Sequence, residues 1–110
     1  MANTFKRKLS RSLGVVPTAV GSYTVGASTS TTLIGLTLAN VTADAETANI
    51  TLSTADSDYY IVKDAPVPSG GTLVAVGGDQ KVVMEVGDSI KVTSSDSDSI
   101  DVIMSLLEIT

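Results

Sequence analysis

The chain of 110 residues is 43% hydrophobic but only 4% aromatic, has no cysteine and no histidine, and carries a formal net charge of −5. That length suits one compact domain, and the core must be built mainly from Val, Ile and Leu. The missing residue types exclude disulfides, thiolate chemistry, the commonest general base and the usual transition-metal ligands. An enzyme is therefore disfavoured, and no catalytic residue, cofactor or metal ligand is assigned.

The first element is a basic N-terminal arm over residues 1–13. Lys6, Arg7, Lys8 and Arg11 are four of the seven basic residues, whereas every acid lies at Asp44 or later. From Ser12 onward three lysines face twelve acids, so a body of −9 carries an arm of +4. No apolar run follows the arm as a secretory signal would require, and none approaches the ~18 residues of a membrane span. Opposite charges suit head-to-tail contact between like subunits, or contact with another acidic surface.

Phe5, Leu9 and Leu13 recur every four residues along the arm, which places them on one side of a short helix or makes them anchors of a segment ordered on binding. An unattached, mobile terminus is the plainer alternative. Nucleic acid is the weakest, because the acidic body repels phosphates and no aromatic stacking platform accompanies the cations. The expected subunit interface is Phe5, Lys6, Arg7, Lys8, Leu9, Arg11 and Leu13. On this reading, deletion of residues 1–13 leaves the fold stable but abolishes incorporation into an assembly.

After Gly14 the chain changes to short β-branched runs punctuated by Gly, Asp, Ser and Pro, the rhythm of a sandwich or barrel over residues 14–110. Residues 19–25 read as a bent or edge strand, with Gly21 and Gly26 weakening it. In residues 31–40 Leu36 and Leu38 alternate with small or polar residues, and in residues 48–53 Ile50 and Leu52 do the same. A connection of hairpin-like length separates these two runs, so antiparallel pairing between them is expected. YYIVK opens the next strand at Tyr59. Pro66 and Pro68 bracket Val67, and Gly70-Gly71 follow, which reads as a crossing between sheets.

Residues 72–76 form a short strand that Gly77-Gly78-Asp79 ends. Residues 80–86 are the next, and Gly87-Asp88 reads as a hairpin turn into residues 89–93. The last run, residues 100–109, places Ile100, Val102, Met104 and Leu106 on one face and Ile103, Leu107 and Ile109 on the other. A strand apolar on both faces is central, or is covered by a neighbouring subunit. The fold expected is all-β: an antiparallel sandwich of seven or eight strands, Ig-like or jelly-roll-like, joined mostly by hairpins and extended by the arm. A closed barrel is the alternative.

Two segments carry alternating carboxylates, Asp56 and Asp58, then Asp96, Asp98 and Asp101. Neither has the turn glycine and terminal glutamate that a calcium loop requires, so they read as solvated loop acids. The glycine pairs precede strands rather than helices, which leaves no helix N-terminus to receive a phosphate. Tyr59 and Tyr60 read as strand residues, one of which must face outward and can anchor an interface.

The series YYIVKDAPVPSGGTL from Tyr59, GGDQKVVMEVGDSIKV from Gly77 and DVIMSLLEI from Asp101, with the opening MANTFKR, resembles small structural proteins of tailed-phage virions, particularly of marine and cyanobacterial myophages. The likeness covers about two thirds of the chain and rests on a strand-and-turn framework, not a chemical signature. It implies a multi-copy sandwich subunit, first a capsid decoration (cement) protein and otherwise a neck, collar or tail-associated ring protein. The implied partners are the major capsid protein or neck and tail proteins together with further copies of itself, and the implied place is the virion, assembled in the host cytoplasm. No nucleic acid, membrane or small-molecule substrate is expected. A glycan-binding module is the rival class, disfavoured by the scarcity of aromatics.

Overall fold

The computed structural model describes residues 2–77 and 81–110. Among them nine strands are found: β1 (Asn3–Leu13), β2 (Thr18–Ala19), β3 (Ser30–Asn40), β4 (Glu46–Ser53), β5 (Asp58–Val67), β6 (Thr72–Val76), β7 (Val82–Met84), β8 (Ser89–Ser94) and β9 (Ile100–Ile109). They form two antiparallel sheets. The front sheet has the order β1-β9-β3-β6, with β7 also paired to β3, and the back sheet has the order β2-β8-β4-β5. The protein is an all-β sandwich.

The core lies between the sheets and is aliphatic. Leu33, Leu36 and Leu38 of β3 and Val102, Met104 and Leu106 of β9 meet Ile50 of β4 and Ile90 and Val92 of β8, all essentially fully buried. The alternation of Val102, Met104 and Leu106, of Ile90 and Val92, and of Leu36 and Leu38 is what a half-buried sheet demands, since successive side chains point to opposite faces, and an irregularity in register between Leu33 and Gly35 brings Leu33 to the same side. Among the described residues no buried side-chain nitrogen or oxygen lacks a hydrogen-bond partner.

The strand positions in residues 31–40, 48–53, 72–76, 89–93 and 100–109 agree with the sequence pattern to within two residues. The connections do not. β3 and β4 do not pair: they lie in different sheets, and β4 pairs with β5 and β8 instead. Asn40 drives this crossing. Its buried amide nitrogen donates to the carbonyls of Asp44 at 2.8 Å and Val67 at 2.9 Å, while its oxygen accepts from the Thr42 N–H at 2.9 Å. A compact corner results where a hairpin was expected.

Gly87-Asp88 does make a tight turn. Asp88 N–H donates to the Glu85 carbonyl at 2.9 Å and Gly87 takes a φ of 89°, but the turn leads from β7 in the front sheet to β8 in the back. Among the described strands only β4 and β5 form a sequential hairpin within one sheet. The expected Gly77-Gly78-Asp79 turn falls largely outside the described residues. Of the run 19–25 only Ala19, the second residue of β2, is strand, because Gly21 and Ser22 both take a left-handed φ and turn the chain into a short 3-10 segment.

The largest difference concerns the N-terminus. Residues 3–13 do not stand off the body as an arm or form a helix: they are β1, paired antiparallel along β9 from Asn3↔Ile109 to Leu13↔Ile100. The spacing that suits one side of a helix equally suits one face of a strand, because four is also a multiple of two. The pairing runs to the chain end, with Ala2 and Thr110 exchanging backbone hydrogen bonds at 3.0 and 2.9 Å.

Candidate interaction surface

The two outer faces of the sandwich differ in chemistry. On the back sheet the outward residues of β4 and β8 are Thr47, Asn49, Thr51, Lys91 and Thr93, a polar set suited to water, with Tyr60 of β5 beside Thr51 and Ala19 of β2 beside Lys91. On the front sheet the register aligns two apolar rows across four strands. One row is Phe5, Leu107, Thr32 and Val83, and the other is Leu9, Ile103, Thr37 and Val74. Between them runs a shallow furrow of small residues, Ser105 and Gly35, with Arg7 at its β1 end.

Phe5 is 75% exposed, Val83 68%, Val74 64% and Ile103 53%. With strands ~4.8 Å apart and residues ~3.3 Å apart, four strands by about seven residues give a face of roughly 400 Å². Only part of that area is apolar, since Thr32 and Thr37 interrupt the rows and Arg7, Ser105 and Gly35 separate them, but exposed aliphatics aligned by register form a patch that scattered ones do not. The sequence expectation for β9, apolar on both faces, therefore has a double outcome. The strand is central in its sheet, and its second face is uncovered in the single chain.

β1 is the free edge of this face. The mutual Ala2–Thr110 bonds set the antiparallel alternation, so the even-numbered residues of β1 bond to β9 and the N–H and C=O groups of Asn3, Phe5 and Arg7 point away from it. Farther along, the 3-10 segment closes the edge. The Gly21 N–H donates to Ser10 Oγ at 2.8 Å, and a Cβ placed on Gly21 would lie 3.3 Å from the Leu9 nitrogen.

The cations of β1 divide into two sets by strand alternation. Lys6 and Lys8 lie on the core side. Lys6 Nζ is 2.9 Å from Glu108 Oε1, and Lys8 Nζ sits 5.7 Å from the centre of the Tyr23 ring. Tyr23 Oη donates to Glu108 Oε2 at 2.5 Å and shares a hydrogen bond of 2.8 Å with Thr31 Oγ1. This cluster plugs the open side of the sandwich beneath β1. Tyr23's hydrogen bond, with Lys6 second, holds the Glu108 carboxyl below its ordinary range. Burial first, and then the hydrogen bond to Glu108, pushes the Tyr23 phenol up. Arg7 and Arg11 are exposed and have no ion-pair partner among the described residues.

Of the seven expected interface residues, Phe5, Arg7, Leu9 and Arg11 are thus on the surface, and Lys6 and Lys8 are committed to the Tyr23–Glu108 cluster. Leu13 is not on the surface. A bulge between Ser10 and Leu13, with Ser12 at φ 55°, reverses the alternation and sends Leu13 into the core. The Ser12 N–H freed by the bulge donates to Asp101 Oδ1 at 2.9 Å, which gives one of the supposed loop acids a structural task. Asp58 has another, accepting from Ser53 Oγ at 2.6 Å. Sequence reasoning missed Val74 and Val83 as surface anchors, although their neighbours in each strand are core-facing and the alternation alone pointed to them.

On the back sheet a depression of about 290 Å³ is lined by Val15, Pro17, Asn49, Thr51, Asp58, Tyr60 and Thr93. Its one carboxylate is the Asp58 that receives the Ser53 hydroxyl, and the described lining brings no second acid or base beside it. Among the described residues no group of three or more carboxylates converges as a metal site would require.

No family model matches the chain, and no curated protein matches it. Among solved structures the chain is similar to a chain from Bacillus endospore appendages, a family of disulfide-linked pili: the TM-score is 0.57 at 9% identity, over 98% of this chain and 88% of that one.

Proposed function

We propose that the protein is a non-enzymatic structural subunit, present in many copies in a larger assembly, and that the outer face of its front sheet is the surface by which it is built in. The observation that carries this reading is the pair of apolar rows, Phe5 with Leu107 and Val83, and Leu9 with Ile103 and Val74, left open on one face while the two middle strands of the other face, β4 and β8, present polar residues. The resemblance to tailed-phage virion proteins supports a place on the particle. A capsid decoration protein is the first form, with the front sheet lying on the shell, and a neck or tail ring protein is the other.

The fold likeness to a pilus chain adds support for a structural role of this all-β sandwich, and it favours no phage location. The endospore pili are linked by disulfides, whereas this chain has no cysteine, so any assembly of it is held without disulfides.

The test is gradient sedimentation of particles from cells expressing either the wild-type chain or the double variant Ile103→Ser, Val83→Ser, followed by electron cryomicroscopy of the particle fraction. Both positions are exposed, so the melting temperature should stay within about 4 °C of wild type. Wild type should co-sediment in many copies per particle and the variant should remain at the top of the gradient. A high copy number over the shell supports the decoration form and a small symmetric ring supports the neck or tail form. A wild-type chain found only as free protein, or a variant that incorporates as well as wild type, overturns the proposal.

A further inference from the structure

The chain has only four aromatic residues, and three of them are spent on the surface: Phe5 is 75% exposed, Tyr59 57% and Tyr60 59%. A core short of aromatics that leaves three outside points to contact surfaces, where aromatic anchors are enriched. Phe5 and the tyrosine pair also sit on opposite flanks of the sandwich. β1 ends the front sheet on the flank where the 3-10 segment and β2 lie, while β5 ends the back sheet on the flank shared with β6.

The flanks are opposite in charge as well. Phe5 stands beside Arg7, and Arg11 lies farther along the same strand; neither arginine has an ion-pair partner among the described residues. Tyr59 and Tyr60 stand among Asp56, Asp58 and Asp64, against which the flank offers Lys63, held 5.6 Å over the Tyr60 ring. The free backbone N–H groups of Phe5 and Arg7 are flanked by cations, a setting that favours a carboxylate as acceptor.

We propose that a second copy of this chain binds β1 with its β5 flank, so that copies associate head-to-tail, basic flank to acidic flank. Two β1 edges facing each other would oppose their own arginines, which disfavours a two-fold contact through this edge; complementary flanks repeat without closing unless the rotation brings them round into a ring. The contact runs mainly through side chains. β5 cannot extend the ladder as a straight strand, because Pro66, the left-handed Asp64 at φ 51° and two register shifts against β4 interrupt it. A flank of ten residues along β5 and the sandwich thickness of about 20 Å offers roughly 600–700 Å² per partner, close to the ~800 Å² of a standard stable interface. The proposal rests on the structural-subunit reading and adds to it the partner and the polarity of contact.

The test uses two full-length variants with changes only at exposed positions, each checked for wild-type circular dichroism. One carries Phe5→Ala and Arg7→Glu, the other Asp56→Lys and Tyr59→Ala. Analytical ultracentrifugation at ~100 µM should show wild type forming a ladder of oligomers in about 50 mM salt that weakens about tenfold or more in about 500 mM salt. Each variant alone should be monomeric. Their equimolar mixture should give a dimer and nothing longer, because each retains the one flank the other lacks.

A mixture that stays monomeric, or a single variant that dimerises as wild type does, overturns the head-to-tail contact. A wild-type chain that is monomeric throughout yet still co-sediments with particles also overturns it, and leaves the structural-subunit reading standing.

Discussion

Replacing Glu108 by Gln tests whether the charge cluster beneath β1 holds the edge strand in place. Glu108 is the acceptor of the Tyr23 hydroxyl at 2.5 Å and the partner of Lys6 at 2.9 Å, and its side chain is only 12% exposed. A hydrogen bond to a charged group stabilises by about 1.5–3 kcal/mol and a neutral one by about 1, so the loss of charge on the acceptor costs roughly 1 kcal/mol. Lys6 is 44% exposed, which discounts the ion pair to about 0.5 kcal/mol. The variant should be ~1–2 kcal/mol less stable near neutral pH, a fall of about 4–8 °C in melting temperature for a domain of this size.

The pH dependence carries the sharper test. A carboxyl held below its ordinary 4.5 stabilises the folded state above that value, and the contribution disappears as pH falls through the lower folded-state value. Thermal melts of wild type and variant should therefore differ at about pH 7, and the gap should narrow progressively as pH falls below the ordinary 4.5. A gap that is unchanged in acid, or absent at neutral pH, refutes the assignment of the cluster as the latch of β1. At the other end of the scale the raised phenol of Tyr23 stabilises fully below its ordinary 10.0 and loses that contribution as pH rises through its higher folded-state value.

Asn40→Ala should cost about 2–4 kcal/mol by urea denaturation, because it leaves the carbonyls of Asp44 and Val67 and the Thr42 N–H without their buried partner; a cost below about 1 kcal/mol would show that the corner between β3 and β4 holds without it. Deletion of residues 2–13 removes a whole strand, strips the Lys6 partner from Glu108 and makes β9, apolar on both faces, the new sheet edge. The truncated chain should lose cooperative unfolding or aggregate on purification; a soluble product with the wild-type melting temperature would restore the picture of a detachable arm.

What the sequence could reveal followed from how local the cause was. The double alternation of β9 was legible because each of its faces is written in adjacent residues, and the same holds for residues 31–40 and 72–76. The place of residues 3–13 was not legible, because their partner lies at the other end of the chain: Asn3 pairs with Ile109, and no local pattern encodes a contact across nearly the whole sequence. Their high Lys and Arg content also reads as solvated tail rather than strand. The β3–β4 corner depended on one amide reaching the nearby Asp44 carbonyl and the distant Val67 carbonyl together, and the burial of Leu13 depended on a bulge at Ser12, a residue with no intrinsic preference for a left-handed φ. On the surface, charge asymmetry was correctly located at the N-terminus, while its division into an internal pair, Lys6 and Lys8, and an external pair, Arg7 and Arg11, required knowing that the segment is a strand.

That division explains why the basic residues are concentrated on β1 at all. An edge strand with Phe5 and Leu9 on its outer side and unpaired backbone groups is the kind of feature that promotes indiscriminate sheet pairing. Arginine at the middle of that edge opposes contact with an identical edge, because two β1 strands laid side by side would bring like charges together at close range. The same charge attracts an acidic surface, and from Ser12 onward the body has a balance of −9. One set of residues thus blocks the wrong pairing and favours the right one. In a chain without cysteine no disulfide can fix a mistaken contact or reinforce a weak one, which leaves charge and the few aromatic anchors to discriminate. Salt should accordingly loosen association between flanks sooner than it loosens the seating of the apolar front face. Comparing the salt concentrations at which self-association and particle binding are lost would separate the two surfaces, and loss of both at the same salt would mean that they are one.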